Sequence, residues 1–316
     1  MPKIAYVPET KFTEAVTRDI DRANQIMEDY ATQGYELTLR QLYYQFVARG
    51  WIANNVREYK RLGDVVAKGR LSGLIDWNHL VDRTRGMEQN SHWSDPESII
   101  ASAANSYAVD KWQGQRYRPE VWVEKEALAG IVERACRELD IPWFCCRGYT
   151  SLSEIWAGAM RLLSYRQKQK QTPVIIHLGD HDPSGIDMSR DITDRVRLFC
   201  GFGVKVHRIA LNMDQIIRYN PPPNPAKTTD SRSKSYIEEY GEESWELDAL
   251  EPGVLVQLIR DSVLALRQND KYEALEAEEE NDRQLLVSCA RRWSDVTELL
   301  GQEESDGNEI EEGPDE

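Results

Sequence analysis

The chain has 316 residues, 41% of them hydrophobic and 29% charged, with a net charge of −15. This balance belongs to a globular chain with room for two modest domains. No apolar run approaches a membrane span and Met1-Pro2-Lys3-Ile4 does not open a signal peptide, so a cytoplasmic protein with no membrane partner is expected. Five cysteines, an odd number without Cys-x-x-Cys spacing, argue against a disulfide framework and a structural zinc site. The charge is uneven. From Lys271 onward 4 basic and 16 acidic residues carry −12, whereas residues 38–85 hold 9 basic and 4 acidic residues, or +5. Local charge decides whether a surface can meet phosphate, so the acidic total does not exclude double-stranded DNA as a partner.

In chain order, residues 8–34 show helical spacing of Phe12, Val16, Ile20, Ala23 and Met27, with Gly34 as a stop. A second helix follows over residues 38–50, capped by Thr38 and ended by Gly50. A third, over residues 56–73, sets Arg57, Lys60, Arg61, Lys68 and Arg70 against the apolar Leu62, Val65 and Val66. Short helices with basic faces are how helix-turn-helix and winged-helix domains meet DNA, which makes those five cations candidate DNA contacts. A small helical bundle with solvated charges fits the same pattern. Residues 1–86 are therefore expected as a helical, winged-helix-like domain and the polar residues 87–118 as a connector, with a helix near residues 98–108.

From Pro119 the pattern alternates strand and helix: strands over residues 120–123, 142–147, 173–178 and 204–209, helices over 127–139, 152–166 and 186–199. Such alternation predicts a parallel sheet covered on both faces, an α/β domain over residues 119–268 that includes a C-terminal extension. Residues 269–300 read as a charged helix, and the acidic residues 301–316 as a disordered tail.

The third strand ends in Gly179-Asp180-His181-Asp182-Pro183-Ser184-Gly185, and the first in Glu124-Lys125-Glu126. Functional groups of open α/β sheets sit outside the carboxyl ends of strands. If these strands are neighbours, Glu124, Asp180 and Asp182 gather at one rim, where their mutual repulsion makes sense with a cation, and a carboxylate site completed by water and phosphate suits Mg²⁺. Glu126 reads as an acid in the first turn of the following helix. Glu246 and Asp248 are acids that either approach the metal or, more commonly for such a stretch, start a capped helix.

A glutamate after the first strand and Asp-x-Asp after a later one resemble the TOPRIM domain, over about residues 119–211. The Pro and Gly that follow the second aspartate resemble one subgroup, the A subunit of topoisomerase VI and the related meiotic break-forming transesterases. In that family a winged-helix domain carrying Arg-x-x-Tyr-Tyr precedes the TOPRIM domain, and Arg40-Gln41-Leu42-Tyr43-Tyr44 stands in that place. The resemblance implies that Tyr44 attacks a DNA phosphodiester with Arg40 assisting from one helical turn away, that Mg²⁺ is held by Glu124, Asp180 and Asp182, and that Tyr43 is a packing residue. It further implies a homodimer, one tyrosine per strand, and a separate B-like ATPase subunit, since no nucleotide-binding ATPase motif is present. The family's wing cannot be matched within residues 45–77. A second enzyme reading keeps the metal site and uses water, making the protein a nuclease and Tyr44 structural. A DNA-binding module with a degenerate site is disfavoured by the presence of all three carboxylates, and an Asp-x-Asp phosphatase by the motif's late position in its domain.

Overall fold

Four largely apolar strands pair in parallel: β1 (Tyr117–Val123), β2 (Trp143–Cys145), β3 (Thr172–Leu178) and β4 (Lys205–Ala210), in the order β2-β1-β3-β4. The computed structural model describes residues 3–80, 90–226 and 232–306 of the protein. Register runs from Tyr117↔Thr172 to Val123↔Leu178 between β1 and β3, so Glu124 and Gly179 leave the sheet side by side. The chain steps from β1 outward to β2 and then returns past β1 to β3. This reversal is a topological switch point, and it opens a crevice between the carboxyl ends of β1 and β3.

The helices follow from the same reversal. A crossover of constant hand puts the connection from β1 to β2 on one face and the later connections on the other. Accordingly α5 (Ala129–Glu138) lies on one face, and α6 (Leu152–Gln167) and α7 (Pro183–Cys200) lie together on the other. The second face is sealed by Trp122, Ile155, Leu162, Ile175, Ile192 and Val196. Two polar groups in that region are matched. Glu120, 1% exposed, takes a two-pronged pair from Arg161 at 2.7 and 2.8 Å and accepts from the Trp122 indole at 3.0 Å.

Residues 3–80 hold α1 (Glu14–Thr32), α2 (Leu39–Ala48) and α3 (Val56–Leu71). Thr38 and Gln41 form a reciprocal capping box at the start of α2, contributing about 1 kcal/mol. Ile20, Met27, Leu42, Phe46, Leu62 and Val66 meet in one core. Among the described residues this region pairs strands only as the isolated bridges Ala5↔Ser72 and Leu37↔Leu80, so no wing hairpin is present there. The helical segment and the sheet belong to one compact unit, Met1–Gly86 with Arg116–Arg267. That unit also contains α8 (Met213–Tyr219), α9 (Ser233–Tyr240), α10 (Pro252–Leu264), which packs on α5 and β4, and a two-residue ladder of β5 (Asn224–Pro225) with β6 (Glu243–Ser244).

The second unit comprises Met87–Gln115 and Gln268–Glu316. Residues 87–115 are thus more than a connector. Their helix α4 (Pro96–Ser106), two residues earlier than its expected start, packs on α11 (Asn269–Arg291), and the fully buried Trp112 meets Tyr272 edge-on at 6.3 Å. The expected single charged helix breaks at Arg292 and continues as α12 (Trp293–Asp306). Helical backbone therefore enters the stretch expected as disordered tail, whose remaining residues 307–316 lie outside the described residues. Among the described residues no helix is long and apolar enough to cross a membrane.

Candidate active site

The loop after β3 is held in one conformation by its own backbone. Asp182 caps α7, its Oδ1 accepting from the Gly185 amide at 2.6 Å, and Pro183 occupies the first helical turn. Gly185 is obligatory: a Cβ there would stand 2.2 Å from the Asp180 carbonyl oxygen. Arg208 on β4 reaches under this turn and donates to the carbonyls of Asp180 at 2.6 Å, Gly185 at 2.9 Å, Gly179 at 3.0 Å and Leu211 at 3.1 Å. On the outer side, residues 245–248 form a strap. Trp245 and His181 exchange backbone hydrogen bonds at 2.8 and 2.9 Å, and the Leu247 amide donates to Asp180 Oδ1 at 2.8 Å.

The switch point brings Glu124 and Asp180 into contact, since the Asp180 amide donates to Glu124 Oε2 at 2.8 Å. All three predicted carboxylates are buried, at 8% exposure for Glu124, 7% for Asp180 and 8% for Asp182. Burial, with the nearby Asp182, raises the Glu124 pKa despite the Asp180 amide. Burial and the neighbouring Glu124 likewise push Asp180 well above the usual carboxylate range, against the pull of Lys125.

Lys125 is the charge that compensates them. Its Nζ lies 3.0 Å from Asp180 Oδ2 and 3.3 Å from Asp248 Oδ1, and pairs closely with Glu246. Burial opposes the ammonium charge, but Asp248, Asp180 and Glu246 outweigh it and hold the lysine protonated. Arg40 approaches the same two strap acids from α2. Its Nε donates to Asp248 Oδ2 at 2.7 Å, and its Nη2 pairs with the Glu246 oxygen that Lys125 also holds. The same Nη2 lies 3.4 Å from the Tyr44 hydroxyl. Glu246 stays ionised because these two cations overcome the cost of its burial. Tyr44 is 4% exposed, and burial together with Asp248 and Glu246 raises its pKa far beyond that of a free phenol.

These side chains border two cavities. One, of about 470 Å³, has Tyr44 and Asp182 in its wall, and the other, of about 410 Å³, has Glu124, Lys125 and Asp180. Arg40 and Glu246 line both. The predicted catalytic and metal residues thus lie on adjoining cavities joined by a shared ion pair. Glu126 is half-buried in the wall of the second cavity, where it pairs with Arg147 at 2.5 Å.

Does this donor set suit a divalent cation? Among the described residues no three His, Cys, Asp or Glu side chains stand in metal-holding geometry as placed, because Asp180 is engaged by Lys125 and the Leu247 amide and Asp182 by its helix cap. The chemistry nevertheless fits a hard cation. Glu124, Asp180, Asp182, Glu246 and Asp248 supply hard oxygen donors, and burial, with the neighbouring carboxylates, raises the affinity of Glu124 and Asp180 for a positive charge.

The predicted DNA contacts divide. Arg57, Lys60 and Lys68 are exposed and form no ion pair among the described residues. Arg61 is bound to Asp19 and Glu58, at 2.7 Å each, and Arg70 donates to the Trp77 carbonyl at 2.9 Å and to that of Leu80. Both arginines, half-buried, are held by partners within the fold. Tyr43, expected to pack, does so at 4% exposure, and its hydroxyl also donates to Asn54 Oδ1 at 2.9 Å. Lys125 and Arg208 carry no signal of their contacts in the sequence, although Arg208 stands just before the two buried residues that end β4. No protein-family profile matches this chain, and no curated protein matches it.

Proposed function

We propose that this protein is a Mg²⁺-dependent DNA-cleaving transesterase of the topoisomerase VI A-subunit type, with α1 to α3 as its winged-helix-like DNA-binding part and the parallel sheet as a TOPRIM domain. The observation that carries the reading is the junction of α2 with the strand ends: Tyr44 and Asp182 border one cavity, and Arg40 ties that cavity to the one holding Glu124 and Asp180. That residues some 80 to 140 positions apart in the chain border adjoining cavities supports this reading.

In this reading the Tyr44 oxygen bonds to phosphorus as the bond to the 3′ oxygen breaks, leaving a phosphotyrosyl link on the 5′ end. Arg40 holds the phosphate and stabilises the phenolate. Glu246, held ionised by Lys125 and Arg40, is too weak a base for this phenol, so the proton passes to solvent, and solvent protonates the departing 3′ oxygen. Glu124, Asp180 and Asp182 would hold a Mg²⁺ that, when bound, neutralises the phosphate and the leaving oxygen. Lys125 must then give up Asp180. A homodimer would place one tyrosine on each strand, with a separate ATPase subunit supplying strand passage.

The burial and raised pKa of Tyr44 favour a second reading, in which the phenol is structural and a water cleaves the DNA. Incubation with supercoiled DNA and Mg²⁺, followed by denaturation with and without protease, separates the two. Protein-linked ends that vanish in Tyr44→Phe and in Asp182→Asn support transesterification. Free ends with Tyr44→Phe fully active establish hydrolysis, and full activity of Asp182→Asn removes the metal assignment.

A further inference from the structure

The cavity beside Tyr44 is larger than a phosphate group needs. Among its described lining residues Arg40 is the one cation, so a phosphate fits beside it, while Asp182 and Glu246 keep further anionic groups from the rest of the wall. That wall carries aromatic rings and amides together with Val56, Pro225 and Ser244. Tyr44, Tyr59 and Trp245 supply ring surface, and Asn54, Asn55 and Asn224 supply side-chain amides. Tyr59 meets Tyr43 edge-on at 5.3 Å, so its ring is fixed by packing. The Asn54 amide donates to Asn224 Oδ1 at 2.5 Å, joining the start of α3 to the β5 ladder. The volume of about 470 Å³ suits a small planar ligand.

Flat rings accept any base by stacking. Asn54 is engaged by Tyr43 and Asn224, and Asn55 Oδ1 by the Glu58 amide, but among the described residues the Nδ2 groups of Asn55 and Asn224 are left to donate to the acceptors on a base edge. A neutral, planar, hydrogen-bonding group is therefore what this cavity selects, with an attached phosphate left at Arg40. Resting on the DNA-cleavage reading, we infer that the cavity between α2, the start of α3 and the pairs Asn224–Pro225 and Ser244–Trp245 receives one nucleobase extruded from the duplex beside the phosphate presented to Tyr44. Extrusion would also fix the sugar–phosphate backbone against Arg40, since a base held in the wall leaves its own phosphate few positions to occupy.

Taking a base out of the stack is costly in a paired duplex and nearly free at an unpaired nucleotide. Binding is therefore measured without divalent ions, by fluorescence anisotropy, on a paired duplex and on the same duplex with a single unpaired nucleotide. The wild type should bind the second about tenfold or more tightly. Tyr59→Ala and, as a milder change that leaves the helical core untouched, Asn224→Ala should each reduce this ratio toward one while paired-duplex affinity stays within about twofold. Adenosine or thymidine monophosphate in excess should not displace the DNA. Equal binding of the two duplexes by the wild type would overturn the inference, as would a ratio preserved in both variants. Displacement by a mononucleotide would assign the cavity to a free nucleotide instead. No binding to either duplex would remove the DNA reading itself, whereas paired-duplex binding without the preference removes only the base pocket.

Discussion

Replacing Arg208 with methionine tests whether the turn after β3 is built by one guanidinium. In the protein Arg208 donates to four backbone carbonyls between 2.6 and 3.1 Å and lies 3.3 Å from the Ser189 hydroxyl. Methionine keeps most of the stem's packing and removes every donor. Three well-made charge-assisted bonds at about 1.5 kcal/mol each give about 4 to 5 kcal/mol. Against this stands the desolvation that the arginine suffers, which lowers its own pKa, and relief of that cost returns about 1 to 2 kcal/mol. The net expected loss is about 3 kcal/mol. Urea denaturation followed by tryptophan fluorescence measures it as a lower midpoint at unchanged slope. Arg208→Lys keeps the charge but cannot reach carbonyls on both sides of the turn, so it should recover less than half of the loss. A loss below about 1 kcal/mol for Arg208→Met would show that the turn stands without the fork, and that the capped start of α7 is sufficient.

His177, wholly buried with Nδ1 2.8 Å from the Ser189 hydroxyl, has its pKa pushed down to about 3 by burial and by Arg208. The unfolded chain takes up that proton near pH 6.5, so stability is full above this and falls by up to about 1.4 kcal/mol per pH unit below it. In His177→Gln the fall should be shallower by this amount in pH-dependent urea unfolding, and an equal fall would refute the assignment. Neutralising the exposed Arg57, Lys60 and Lys68 should reduce the salt dependence of DNA binding by about 2 to 3 units of slope, whereas Arg61→Gln should leave it unchanged and cost about 1 kcal/mol of stability through Asp19. An unchanged slope in the triple variant would place DNA on another face. Tyr43→Phe breaks the hydrogen bond to Asn54 and should lower stability by about 1 kcal/mol, read as a shift in thermal midpoint. No shift would mean that the hydroxyl is satisfied as well by water.

The strands, the helices between them and the gathering of Glu124 beside Asp180 were legible because parallel strands buried on both faces leave continuous apolar runs, and their carboxyl ends follow from the alternation. Strand order added the rest: only adjacency of β1 and β3 turns two distant acids into hydrogen-bonded neighbours. The strap was legible only as one of two alternatives. Glu246 and Asp248 carry no periodic signal, Asp248 lies in a 3₁₀ turn (Leu247–Ala249) that Glu246 precedes, and both are placed by Lys125, more than 120 positions earlier. Likewise, nothing in the spacing of Arg57 to Arg70 reveals that Asp19 and two backbone carbonyls claim Arg61 and Arg70 first. The second unit was missed for a similar reason, since Trp112 reads as an isolated aromatic until Tyr272 is placed against it.

The strap also sets when the N-terminal helices can finish folding. Ala249 is part of the core of α1 to α3, and Asp248 receives Arg40 across 208 positions of chain. At a translation rate of 5 to 20 residues per second, roughly 10 to 40 s separate the emergence of α2 from that of its last contacts. During that interval the helical segment lacks one edge of its core, and the half-buried Arg40 has water instead of carboxylates. Contacts of such long separation slow closure of the whole unit. The nascent helices therefore form early but lock late, and a truncated chain ending before residue 245 should present an open, aggregation-prone bundle, however well its three helices are capped.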